Sequence, residues 1–217
     1  LVSGDGAKWV QSCIAEYCPD AERCIDPFHV VQWAMEALDK ARAAAWNDAR
    51  KKTSSETKRK PGRPSKDTPK PDTTAKDIKS GKFALGKAPE NLTEKQRAKL
   101  ELIAKKDNRL YRAYLLKEEL RLVFHHGLDA GKEQLDHFIK WAQHCRIPEF
   151  VELQRKIRRH YDAILATLKH KLSNARIEAV NNKIKLTIRM AYGFGNINNM
   201  IDMIMLRCSD IKVNLPW

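Results

Sequence analysis

The chain has 217 residues, 42% of them hydrophobic and 31% charged, which fits one or two soluble globular domains with a sizeable core. Lys and Arg number 41 against 27 acids, a net charge of +14 that draws the chain toward polyanions. No apolar run reaches the ~18 residues of a membrane span, and the five scattered cysteines form no C-x-x-C pair, so neither a zinc ribbon nor a disulfide framework is indicated. A cytoplasmic protein with reduced thiols is expected.

The chain opens on Leu1 rather than Met, and Leu1-Val2-Ser3-Gly4-Asp5 reads as the end of a strand. A cut through a longer protein is therefore expected. Trp9, Val10, Cys13, Ile14 and Tyr17 recur at helical spacing, with Asp5 as the expected cap, and Pro19 closes that helix. Glu22-Arg23-Cys24-Ile25 reads as a short strand entering Asp26-Pro27-Phe28-His29. A helix follows, with Val30, Val31, Ala34, Met35, Leu38, Ala41 and Ala45 on one side. Strand, helix, strand and helix over residues 1–50 predict an α/β layer rather than a bundle.

Residues 51–80 differ in kind. Large apolar residues nearly vanish, four prolines appear, and from Lys51 to Lys66 bases outnumber the single acid Glu56. Such a stretch reads as a flexible linker or basic arm that cannot bury a core. Within it, Lys58-Arg59-Lys60-Pro61-Gly62-Arg63-Pro64 resembles an AT-hook, in which Arg63 enters an A·T minor groove and Lys60 adds charge. The alternative is a solvated basic linker.

From 81 to 170 the chain reads as wholly helical. Thr93 with Gln96 forms a capping-box start. Leu100, Ile103, Leu110, Tyr114, Leu120 and Phe124 follow, then a helix through Leu135, Phe138, Ile139, Trp141 and Ala142. Past Pro148, one further helix carries Phe150, Leu153, Ile157, Tyr161, Ile164, Leu165 and Leu168. In the last section, 171–217, Ser173-Asn174 caps a long helix to about Tyr192. A Gly193-Phe194-Gly195-Asn196 turn and a final helix from Ile197 to Arg207 complete the chain.

That long helix carries the most informative pattern. Ile177, Val180, Ile184, Ile188 and Ala191 form one apolar stripe. Glu178, Asn182, Lys185 and Arg189, at steps of four, three and four, form a second stripe on another flank. One carboxylate heading a row of amide and basic groups suits a divalent-metal ligand beside phosphate-binding groups, and equally describes a solvated polar face. Asp26, at the carboxyl end of a strand, stands where open α/β sheets place their ligands, and equally where a helix cap belongs. Mg²⁺ takes oxygen ligands and is often held by one or two carboxylates with phosphate oxygens, which Asp26 and Glu178 could supply together.

These residues resemble a family. Asp5-Gly6-Ala7, Pro19-Asp20-Ala21, Asp26-Pro27-Phe28-His29-Val30-Val31 and Ala37-Leu38-Asp39 look like the middle of the DDE transposases of the ISL-three insertion-sequence type. So do Leu92-Thr93-Glu94-Lys95-Gln96, Ala113-Tyr114-Leu115-Leu116-Lys117-Glu118, Trp141, the run Glu178 to Lys185, and Arg189-Met190-Ala191-Tyr192-Gly193-Phe194. The resemblance implies an α/β, predominantly helical fold: a truncated ribonuclease-H-like sheet interrupted by an all-helical insertion. Residues 1–50 and 171–217 would build the catalytic core, 51–80 a basic linker and 81–170 the insertion.

It implies DNA strand cleavage and transfer at insertion-sequence ends, with two Mg²⁺ or Mn²⁺ ions held by three acids. Asp26 would be the second acid and Glu178 the third, the first lying upstream of Leu1, so that the isolated chain is expected to be inactive. Asn182, Lys185 and Arg189 would contact double-stranded DNA. The partners implied are transposon ends, target DNA and a second copy or larger assembly, in the nucleoid of a prokaryotic cell. The rival readings are a non-catalytic DNA-binding remnant or domesticated relative, and a basic helical scaffold on RNA.

Overall fold

The computed structural model describes residues 1–4, 6–56, 72–172 and 175–209. They divide into two compact units, Leu1–Leu172 and Ser173–Trp217.

The first unit begins with β1 (Val2–Gly4), α1 (Lys8–Tyr17) and β2 (Arg23–Ile25), followed by α2 (Pro27–Glu56). The two strands pair in parallel, Val2 with Arg23, Ser3 with Cys24 and Gly4 with Ile25. A parallel pair needs a crossover, and α1 supplies it. The expected order of strand, helix, strand and helix is the one observed. β2 is the better buried strand, with Cys24 and Ile25 fully covered.

Among the described residues, the edge of β2 away from β1 has no third strand. Thr167 takes that place. Its hydroxyl accepts from the Ile25 N–H at 2.9 Å and lies 2.7 Å from the Ile25 carbonyl and 2.8 Å from the Ala163 carbonyl of its own helix. A buried backbone N–H must find an acceptor, and here a side chain provides it where a strand would otherwise pair.

The helices that follow are α3 (Thr74–Ser80), α4 (Lys82–Gly86), α5 (Glu94–Lys106), α6 (Asn108–Leu122), α7 (Leu128–His144), α8 (Pro148–Arg159) and α9 (Tyr161–His170). α2 packs against α3, α6 and α8, and α9 lies against β2. The core between them contains Leu110, Leu116, Leu120, Leu135, Phe138, Phe150, Ile157 and Ile164, all at most 1% exposed. The capping box is present in full: Gln96 N–H donates to Thr93 Oγ1 at 3.3 Å and Thr93 N–H to Gln96 Oε1 at 3.1 Å.

Three expectations are corrected. The basic stretch 51–80 is not one linker: α2 continues to Glu56, and α3 inserts Ile78 into the core at 1% exposure. Residues 57–71, which include Lys60 and Arg63 of the hook-like motif, lie outside the described residues. The single helix read from Phe150 to Leu168 is two, because His160 leaves helical geometry at φ −108°, ψ 13°. Between Thr93 and Phe124 the chain also breaks, at Asp107, whose carboxylate accepts from Leu110 N–H at 2.9 Å and starts α6.

The described residues of the second unit form a pair of helices, α10 (Ala175–Met190) and α11 (Ile197–Cys208). Tyr192 and Gly193 both take positive φ, 52° and 97°, and Gly193 N–H donates to the Ile188 carbonyl at 3.1 Å, which ends α10. Asn196 caps α11 by accepting from Asn198 N–H at 2.8 Å. The apolar stripe expected on α10 is only partly covered where it is described: Val180 is 40% exposed, while Thr187 is buried, its hydroxyl accepting from Arg207 of α11 at 3.2 Å. Ser173 and Asn174, the expected cap, lie outside the described residues.

Candidate active site

Asp26 joins the sheet to α2. Its N–H donates to the Gly4 carbonyl at 3.2 Å, the last bond of the sheet, and its carbonyl accepts from His29 N–H at 3.1 Å and Val30 N–H at 3.4 Å. Its carboxylate oxygen Oδ1 accepts from Phe28 N–H at 3.3 Å, and Pro27 fills the first helical position, where a missing N–H costs nothing. The residue is 3% exposed. The capping role is therefore realised, at the carboxyl end of a parallel strand pair. His29 is half-buried and packs edge-on to Phe28, 5.7 Å between ring centroids.

Because Gly4 pairs with Ile25, the two strands end level, and each is followed in sequence by an aspartate, Asp5 and Asp26. Asp5 lies outside the described residues.

Glu178, Asn182, Lys185 and Arg189 all stand exposed along one flank of α10, in the order that their spacing dictates. The row is thus a helix flank open to a ligand. It belongs to the second unit and Asp26 to the first. Among the described residues no three His, Cys, Asp or Glu side chains gather into a metal-binding group. The donor chemistry nonetheless suits a hard divalent ion, since both acids offer carboxylate oxygens.

A cluster beside the carboxyl edge was not legible in the sequence. Trp33, two turns into α2, presses the edge of its indole on Gly6, just past β1: a Cβ there would meet Cζ2 and Cη2 at less than 3.0 Å. One face of the ring carries Lys156 Nζ, 3.5 Å from its centroid, and His160 lies 5.3 Å from it, centroid to centroid. Arg23 donates to His160 Nδ1 at 3.3 Å, and the Gln11 amide approaches the same nitrogen at 3.4 Å. Burial, then the charges of Arg23, Lys156 and Arg159, push the imidazole down to about 4. His160 is thus neutral at pH 7, with Nδ1 as acceptor and the proton on Nε2, the nitrogen turned toward Gly6. Residues 6, 33 and 160 share no local pattern, so only the fold reveals that they meet.

A family model described as Transposase, of the DDE ISL3 type, matches residues 1–204. The transposase for insertion sequence element IS1557 of Mycobacterium tuberculosis is 51% identical over 217 residues, covering 99% of this chain and 49% of that protein. The transposase for insertion sequence element IS1001 of Bordetella parapertussis is 27% identical over 183 residues, covering 83% of this chain and 40% of that protein. The chain thus spans half or less of the length of these relatives. No solved structure matches it.

Proposed function

The chain belongs to the ISL3-type DDE transposase family, and from that premise we propose that the longer protein cuts and joins DNA at insertion-sequence ends by phosphoryl transfer. The observation that carries the reading is the level carboxyl end of the β1–β2 pair, where Asp26 closes the sheet onto α2. That edge is where an open α/β sheet places its ligands, as a ribonuclease-H-like core would. Residues 1–50 and 171–217 then contribute the catalytic core, and the helices from 81 to 170 an insertion.

Asp26 and Glu178 are the residues that would hold Mg²⁺ or Mn²⁺. When bound, a pair of such ions activates the attacking hydroxyl and stabilises the leaving oxygen. The chain's own contribution is positional. The cap to Phe28 and the sheet bond to Gly4 fix Asp26 at both main chain and side chain. Lys185 and Arg189 would neutralise backbone phosphates, and Asn182 would orient one of them. The DNA is double-stranded, the assembly on it a homodimer or larger, and the setting the nucleoid of a prokaryotic cytoplasm.

The level strand ends favour a second reading of the first unit's contribution. In it Asp5, one residue past Gly4, supplies the carboxylate, and Asp26 serves as cap alone. Nicking of end-containing DNA by the longer protein decides between them. On the first reading, Asp26→Asn and Glu178→Gln each abolish cleavage while leaving DNA binding largely intact. On the second, Asp5→Asn abolishes it, and Asp26→Asn lowers stability by about 1 kcal/mol or less, as a weakened cap does, without stopping cleavage. Near-normal cleavage by Glu178→Gln would remove Glu178 from the site.

A further inference from the structure

α2 and α8 enclose a groove of ≈ 460 Å³, floored by Trp33, Ala37 and Leu153 and bordered by the bases Lys40, Arg155, Lys156 and Arg159. Among the described residues, none of these four bases lies within salt-bridge distance of a carboxylate, whereas Arg42, Lys106, Lys117, Arg121 and Lys169 all do. Three acids share the groove, Glu36, Glu149 and Glu152. Glu36, on α2, acts on Lys156, whereas the other two, on α8, set one end of that helix's side of the groove off from the other. Lys156 and Arg159 stand at the end beside Trp33 and His160, whereas Glu152 is one turn and Glu149 two turns back, about 6 and 10 Å along the axis.

The basic end adjoins the sheet. Trp33 touches Gly6, and it lies seven residues past Asp26 on the same helix, about 10 Å. From Trp33 to Lys40 is another seven residues on one helix face, again about 10 Å, the length of about three nucleotides of one strand at 3.4 Å each. Lys156 itself is half-buried and held over the Trp33 ring, and burial pushes its ammonium below the ordinary lysine range, with Glu36 opposing that shift. A cation so placed gains from an anion delivered to it.

We infer that this groove seats the phosphate backbone of one DNA strand, held by Lys40, Arg155, Lys156 and Arg159, and leads it to the carboxyl edge of the β1–β2 pair. The inference rests on DNA being the partner, as proposed above. It assigns backbone contact to the helical part of the first unit, in addition to the row on α10. Contacts of this kind carry affinity and register rather than sequence preference.

The test is equilibrium binding of the 217-residue chain to a short DNA duplex across a salt series, by fluorescence anisotropy. Each phosphate neutralised adds about 0.9 to the slope of log K against log salt. The pair Arg155→Gln with Arg159→Gln should therefore lower the slope by about 2. Both side chains are exposed, and unchanged helicity by circular dichroism will show that the fold is kept. The control pair Lys95→Gln with Arg97→Gln removes the same charge from the exposed face of α5 and should leave the slope unchanged. A slope unaltered by the groove pair, or lowered equally by the control pair, overturns the groove. No DNA binding by the parent chain strikes instead at the reading on which the groove rests.

Discussion

Gly6→Ala tests the packing that joins β1 to the helical layer. The added Cβ would approach Trp33 Cζ2 and Cη2 to less than 3.0 Å, while it would meet His160 Nε2 at an ordinary 3.5 Å. Carbon atoms in contact prefer about 3.5–4.0 Å, so the indole would have to withdraw by about 1 Å. Lys156 covers one face of that ring at 3.5 Å and His160 packs against it, so withdrawal displaces neighbours. Overpacking of this kind costs about 1–3 kcal/mol. Gly6 is not in the left-handed region, so the alanine is not strained, and it recovers about 0.4–1 kcal/mol through the unfolded chain. The net loss should be about 1.5 kcal/mol, or about 3–6 °C in Tm for a chain of this size. Thermal and urea melts by circular dichroism will measure it. The same substitution in a Trp33→Leu background, where the ring atoms are gone, should cost nothing. A Gly6→Ala variant more stable than its parent, or an equal loss in both backgrounds, would refute the steric argument.

Thr167→Val keeps the shape of the side chain and removes the acceptor of the fully buried Ile25 N–H. It should cost about 2 kcal/mol, while Thr167→Ser should retain most of the stability; a loss below about 0.5 kcal/mol by the valine variant would show that β2 does not depend on the hydroxyl. Burial holds His160 down to about 4 when folded, against 6.5 when unfolded. The unfolded chain therefore binds more protons between these values, and the stability contributed by neutral His160 is complete above about pH 6.5 and lost as pH falls toward 4. Replacing His160 with Gln should flatten the pH dependence of the urea midpoint in that window, and a His160 imidazole, assigned by its loss in the Gln variant, titrating near 6.5 by NMR in the folded chain would contradict the burial argument.

Elements with local causes were legible from the sequence. Thr93 and Gln96 satisfy each other three residues apart, and Asp26-Pro27 opens α2 by a cap and a fixed φ. Gly193 supplies the positive φ that ends α10. The breaks at Asp107 and His160 were not legible, because apolar spacing continues through both while the backbone turns. α3 was hidden by its surroundings: one buried isoleucine, Ile78, anchors it amid bases and prolines whose average composition reads as linker. In the site, Asp26 was placed by strand and helix pattern, and the Glu178 row by helical arithmetic alone. The pocket around Trp33 joins residues 6, 11, 23, 33, 156 and 160, and no sequence window spans them.

The Thr167 contact also sets an order of events during synthesis. The hydroxyl that closes β2 lies 142 residues downstream of Ile25. At roughly 5–20 residues per second, the ribosome takes on the order of ten seconds to deliver it. Over that interval β2 presents an unpaired N–H and carbonyl on its outer edge, the exposure that lets nascent strands pair with one another. α9 is therefore a late-arriving guard, and ribosomal pausing between α2 and α9 should raise the insoluble fraction of newly made chains more than pausing after α9.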